Sequence, residues 1–356
     1  MNATKITMQD LANVLELSSS TVSRALKNDL RISEKTRKRV IEKANQLQYR
    51  PNPMVSALMA TRKKRGGSGE IGTIALITDY RGSQKWREKD VCIWAYNGIL
   101  KRASELGYTI SIFDLKDYHY DPKRLEQTLL ARGIRGVLLG FSREANTQFQ
   151  ISSEKFVLAG LSTYFGHIQV DRANFYGFYN VRLALEELWK YGYRKPGLVV
   201  PEFNNAVSDH AWSAAFLDWQ RLRYQKEEKR CCPFIPNGSS SGSDFKKWMS
   251  HEKPDVILVY KFPVRHYLNE MGLRVPEDIG LAYLYRNADE MGMAAGIDGR
   301  MNLVGAASVD LVVKKLQLNL SGEDTNTNDV LIKGRWHHGP TLTQLKQDKE
   351  EALLEK

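Results

Sequence analysis

From Ile71 onward the sequence alternates short runs of aliphatic and β-branched residues with longer amphipathic stretches, a cadence that few architectures accommodate. The runs are IGTIALIT (71–78), YTISIFDL (108–115), GVLLG (136–140), KFVLAGL (155–161), KPGLVVP (195–201), DVILVY (255–260) and IGLAYL (279–284). Helical periodicity predicts helices at 93–106, 122–131, 178–191, 209–224, 263–271 and 301–320. Strand, helix, strand in this order implies parallel strands joined by right-handed crossovers in a doubly wound sheet. The runs are too many for one comfortable sheet, so two α/β subdomains with a cleft between them are expected.

The first 50 residues read differently. Leu11, Val14 and Leu15 form an apolar stripe that predicts a helix over 8–15. Ser18 is placed to cap a second helix, in which Val22 and Leu26 face inward while the hydroxyls and Arg24 face out. Ser33 caps a third and longer one, in which Val40, Ala44 and Leu47 recur at helical spacing and which ends before Pro51. Beyond it, Met54–Ala60 offers at most two helical turns, too few to be stable alone in water. The stretch Gly66-Gly67-Ser68-Gly69 then makes a flexible joint. The predicted organisation is an all-α headpiece at 1–50, a short helix and linker at 51–69, an α/β core at 70–344 and a charged tail at 345–356.

Charge separates the parts. Residues 1–65 carry 14 lysines and arginines against five carboxylates, leaving only about +2 of the net +11 for the rest of the chain. The excess belongs to one small module and calls for a polyanionic partner, with nucleic acid the leading class. With 42% hydrophobic and 26% charged residues and no apolar run near the length of a bilayer span, a membrane protein is not expected. The first residues lack a secretory apolar stretch, and Cys92, Cys231 and Cys232 cannot make a disulfide framework, so cytoplasm is expected.

An enzyme would need a nucleophile, a base or a metal set, and none is legible. His119, His167, His210, His251, His266, His337 and His338 show no carboxylate at metal spacing, and Cys231-Cys232 are adjacent, which disfavours joint ligation. The glycines at 66–69 lack the Lys-Ser/Thr of a phosphate loop. No cofactor and no metal are expected.

The run Ile6-Thr7-Met8-Gln9-Asp10-Leu11-Ala12, the block Thr21-Val22-Ser23-Arg24-Ala25-Leu26, the start Ser33-Glu34-Lys35-Thr36-Arg37 and the exit Tyr49-Arg50-Pro51-Asn52 closely resemble the headpiece of the lactose-repressor (LacI/GalR) family. The resemblance implies a helix-turn-helix that binds operator DNA. Matched residue to residue, Ser19, Ser20 and Arg24 take the family's base-reading positions, and Ser18, Thr21, Ser23, Ser33 and Thr36 its phosphate-clamping ones. For any one serine, simple capping is the alternative. Leu58 falls where the family inserts a paired leucine into the minor groove, with packing on Met54 or the core as the alternative. One departure is Glu16, where the turn between the first two helices usually has Gly; if that position has positive φ, Glu costs about 1 kcal/mol.

The core resembles the family more weakly, in LEELWKYGYRKPGLV, AGIDGRMNLVGAASVDLVV and GRWHHGPTL, which implies a periplasmic-binding-protein-like sensor of small molecules. The markers of sugar-binding relatives are replaced: His210 stands for an Arg, Lys261-Phe262 for Asn-Asp and Tyr285 for an Asp. What remains near the expected cleft is aromatic: Tyr80, Trp94, Phe141, Phe203, His210, Trp212, Tyr260 and Tyr285. Such rings suit a sugar face or another flat effector, and equally a packed core. The implied assembly is a homodimer, since a pseudo-palindromic operator needs a two-fold axis. The tail, with Leu345, Ala352, Leu353 and Leu354 as its only apolar residues, is too poor in heptads to make a tetramer. The alternative is a DNA-binding protein whose core has lost ligand binding and serves as a dimerisation or protein-docking scaffold.

Overall fold

The structure is a computed structural model. It describes residues 8–26, 32–47, 49, 72–80, 84–88, 90–142, 149–162, 165, 167–285, 294–318, 320 and 326–345. The N-terminal unit is three helices, α1 (Met8–Leu15), α2 (Ser19–Leu26) and α3 (Glu34–Gln46). Their inward stripes supply Leu11, Ala12, Leu15, Val22, Ala25, Val40 and Ala44, a small closed core rimmed by Met8, Leu17, Leu26, Ile32, Leu47 and Tyr49. The expected stripe is corrected in one detail: Val14 is about half exposed, on the flank of α1 away from that core.

The larger unit holds two sheets. The first is built of β1 (Gly72–Asp79), β2 (Tyr108–Asp114), β3 (Gly136–Ser142), β4 (Val157–Leu161) and β5 (Arg172–Phe175), joined by β10 (Asp329–Ile332), in the order β10-β5-β4-β3-β1-β2. All its pairs are parallel. Around it lie α4 (Asp90–Glu105) and α5 (Pro122–Ala131). The second sheet has β6 (Pro196–Val199), β7 (Val256–Val259), β8 (Gly280–Tyr283), β9 (Ala295–Asp298) and β11 (Arg335–His337), in the order β11-β9-β8-β7-β6. Its helices are α6 (Gly177–Lys190), α7 (Glu202–Val207), α8 (Ala211–Arg223), α9 (Gly242–Glu252) and α10 (Val264–Glu270).

The chain passes between the sheets three times. It leaves the first after β5, returns through α11 (Met301–Leu318) and β10, and ends on β11 in the second. Consequently α11 follows a strand of the second sheet but packs on α4 and on β3, β4 and β5 of the first. Its outer turn carries Lys315, whose ammonium lies 3.1 Å from the Asp171 carboxylate, both nine-tenths buried. Only two residues, Lys333 and Gly334, separate β10 from β11. The Gly334 N–H donates to the Asn180 side-chain oxygen at 2.8 Å, and the Tyr176 N–H to the Ile332 carbonyl at 2.8 Å, which binds that passage to the one between β5 and α6.

The aliphatic runs become strands as expected, and the two-subdomain α/β core stands. Exclusively parallel pairing does not: β11 runs antiparallel to β9, with Trp336 opposite Ile297, because no helix intervenes to reverse the chain after β10. The four-residue strands β5, β9 and β10 have no clear signal, being too short and too polar to stand out. Helix α9 did have one, the capping box of Ser241 and Asp244. A continuous apolar cluster runs through both sheets, from Ile74, Leu76 and Leu138 in the first to Leu198, Val256, Leu258 and Ala282 in the second.

Candidate nucleic-acid interface and inter-subdomain cleft

Helices α2 and α3 begin with the same local device. The Ser18 hydroxyl accepts the Thr21 N–H at 3.1 Å and lies 2.8 Å from the Thr21 hydroxyl. The Ser33 hydroxyl accepts the Thr36 N–H at 3.3 Å and lies 2.8 Å from the Thr36 hydroxyl. Each pair caps the positive end of a helix, so the four hydroxyls stand where an anion is stabilised. Arg24 is exposed in the last turn of α2, and Ser19 is half-buried in its first. The side chains of Ser20 and Ser23 lie outside the described residues, as do Leu58 and the whole predicted hinge and linker at 51–69.

Two further details hold α2 and α3 in place. The Arg39 guanidinium donates to the Leu15 carbonyl at 3.1 Å, tying α3 to the end of α1. Glu16 follows with φ 54°, the left-handed conformation that the usual glycine of this turn would adopt without strain. Among the basic residues of α3, Lys38 is engaged with Glu34 at 2.9 Å, both exposed. Such a surface pair contributes little to stability and leaves the cation available to solvent and its anions.

In the core, the structure brings together four of the eight aromatic positions. Trp94 of α4 lies 5.8 Å from Tyr285, Tyr285 lies 6.4 Å from Tyr260, and Tyr260 lies 4.6 Å from Trp212, as ring centroids. Phe175, at the end of β5, continues the line 5.4 Å beyond Trp212. Sequence reasoning missed Phe175 because the strand that presents it was not legible. Trp212, Tyr260 and Tyr285 are each more than nine-tenths buried. Burial pushes the Tyr260 phenol far above its ordinary pKa, so it is neutral at any physiological pH.

The other four positions are elsewhere. Phe141 is buried and stacks on Trp86 at 5.0 Å inside the first subdomain, where Arg87 covers the Trp86 ring. Tyr80 is half-buried just after β1, its N–H donated to the Asp114 carboxylate at 3.0 Å. Phe203 sits exposed on α7. His210 takes the left-handed conformation ahead of α8 and faces Asn205 at 3.2 Å.

Three histidines do face carboxylates, contrary to the sequence reading: His251 and Glu252 at 3.0 Å, His266 and Glu270 at 3.2 Å, and His337 and Asp298 at 4.0 Å. Each is a single pair, and among the described residues no group of three or more such side chains could hold a metal ion. Burial and the neighbouring Glu252 carboxylate push the Cys231 thiol far above its ordinary range, which makes it a poor nucleophile. No helix among the described residues is long and apolar enough to cross a membrane.

Known proteins place this geometry. The family of bacterial regulatory proteins called the lacI family matches residues 7–52. The transcriptional regulator DegA of Bacillus subtilis is 28% identical over 165 residues, 44% of each chain. The transcriptional repressor CytR of Escherichia coli is 31% identical over 144 residues, 39% of this chain and 37% of that one. The matched region thus spans about two fifths of the length of these curated relatives. In three dimensions the chain resembles the lac repressor dimer solved with its operator and the anti-inducer ONPF. The TM-score is 0.54 at 19% identity, over 95% of this chain and 99% of that one. The N-terminal three-helix domain thus matches the lacI family of bacterial regulatory proteins over residues 7–52, and the two-sheet core shares the lac repressor's fold.

Proposed function

We propose that this protein is a cytoplasmic, sequence-specific transcription regulator, a repressor, that binds a pseudo-palindromic operator as a homodimer and responds to a small-molecule effector. Residues 1–50 read the DNA, 51–69 couple, 70–344 sense and dimerise, and 345–356 are a charged tail. The carrying observation is the headpiece, where paired Ser-Thr caps at α2 and α3 flank an exposed Arg24 on a domain matched by the family. Arg24, Ser19 and Ser20 are assigned to base edges. Ser18, Thr21, Ser23, Ser33 and Thr36 are assigned to phosphates, and Leu58 to the minor groove. The protein's work is binding rather than catalysis.

The test is selection of bound sequences from a random duplex pool by the full chain, followed by gel shifts at several salt concentrations. Enrichment of a two-fold symmetric site, bound at least about a thousandfold more tightly than random duplex, is expected. Failure to enrich any sequence overturns the proposal. The burial of Trp212, Tyr260 and Tyr285 favours a second reading for the core alone, a scaffold without an effector. A metabolite and carbohydrate screen by thermal shift separates the two, because a ligand at 100 times its Kd stabilises by about 2.7 kcal/mol.

A further inference from the structure

The line of rings has an order that matters. Its two ends, Trp94 and Phe175, belong to the first subdomain, and its three middle members, Tyr285, Tyr260 and Trp212, belong to the second. The second subdomain's rings are therefore held between two rings of the first. Tyr260 directly follows β7 and Tyr285 lies two residues past the end of β8, and the carboxyl ends of parallel strands are where open α/β sheets receive their ligands. Here that place is filled by the protein's own side chains.

The same rings also rest on the passages between subdomains. Gly177 opens α6 just after the first passage, and a methyl group there would stand 2.7 Å from the Trp212 indole nitrogen. Gly299 lies in the passage from β9 to α11, and a methyl group there would stand 3.1 Å from the Tyr285 ring. Parting the subdomains means turning these passages, which would strip Trp94 from Tyr285 and Phe175 from Trp212.

We propose that Trp94, Tyr285, Tyr260, Trp212 and Phe175 form an intrinsic clasp that locks the two subdomains of the core together.

The experiment is hydrogen exchange on the free full-length protein, read at the passages 176–180 and 296–301. In the wild type these amides exchange slowly. In Tyr260→Ala they exchange about tenfold faster or more, the order of coupling that a two-state element carries. Saturating p-cresol, the side chain that was removed, restores slow exchange, and Tyr260→Phe behaves as wild type. Trp94→Ala, which truncates a half-buried ring at one end of the line, gives the same acceleration and keeps the test decisive if Tyr260→Ala does not fold. Fast exchange at both passages in the free wild type overturns the clasp, as does acceleration confined to residues beside position 260 or an absence of rescue by p-cresol. Operator gel shifts on the same variants report separately: loss of all specific DNA binding by the wild type would sink the functional proposal and leave the exchange result to decide the clasp.

Discussion

Gly305 of α11 lies against the backbone of Ala95 in α4, so close that a methyl group on Gly305 would stand 2.0 Å from the Ala95 carbonyl oxygen. One turn away the relationship is reciprocated, Gly98 of α4 meeting the Asn302 carbonyl at 1.9 Å on the same measure. Two helices from different stretches of the chain are in backbone contact, and α11 is the helix that brings the chain back to the first subdomain. Gly305→Ala should therefore force the helices apart. Overpacking of this kind costs about 1–3 kcal/mol, and a lowering of Tm by several degrees in thermal denaturation is expected. A neutral effect would mean that the helices separate freely.

The pair of Asp171 and Lys315 gives a pH dependence. Burial alone would raise the Asp171 carboxyl, but the Asn328 N–H at 2.8 Å and the Lys315 ammonium outweigh it and hold the group below its ordinary value. A carboxyl whose folded pKa is depressed contributes stability that is present above its unfolded pKa and lost as pH falls through the folded one. The contribution should be complete at neutral pH and disappear below about pH 4. Lys315→Ala leaves a buried carboxylate without its cation, which costs about 3–5 kcal/mol at pH 7. Urea denaturation of both proteins at pH 7 and pH 3 should show the difference narrowing in acid.

At the headpiece, Glu16 with φ 54° is the one non-glycine left-handed residue among the described residues before β1. Replacing it with Gly relieves about 1 kcal/mol of strain, less the extra freedom that Gly gains in the unfolded chain. Hydrogen exchange over residues 8–47 of the full chain should slow by several-fold in Glu16→Gly. Faster exchange would show that Glu16 has compensating contacts.

Arg24→Ala should lose roughly 1–3 kcal/mol on the selected operator and relax preference at one base pair in each half-site. Lys63→Ala, which removes one of the 14 basic charges of residues 1–65, should weaken all sequences alike and flatten the salt dependence. Equal losses on operator and random duplex would reduce Arg24 to a phosphate contact.

Much of this was already present in the order of residues. The three headpiece helices were legible, since Ser18 and Ser33 are local caps and Val22, Val40 and Ala44 are spaced by the helix itself, though Val14 turned out half exposed. The long aliphatic runs became strands for the same reason: their signal is contained in the segment. Glu16 is the clearest case, a departure seen in the sequence and met as a positive φ in the turn. What the sequence could not hold was anything set by the meeting of distant segments. Strands β5 and β10 are four residues each, and their pairing, Arg172 opposite Asp329, joins positions far apart in the chain. The destination of α11 rests on Gly98 and Gly305, which read alone as ordinary helix-weakening residues. The fate of the aromatics was likewise a tertiary decision. Tyr260, Tyr285 and Trp212 carry the same residue types whether they line an open cleft or fill a closed one. Tertiary neighbours bury them, Trp94 and Phe175 of the other subdomain among these, because burial belongs to the neighbours a side chain acquires and not to the side chain itself.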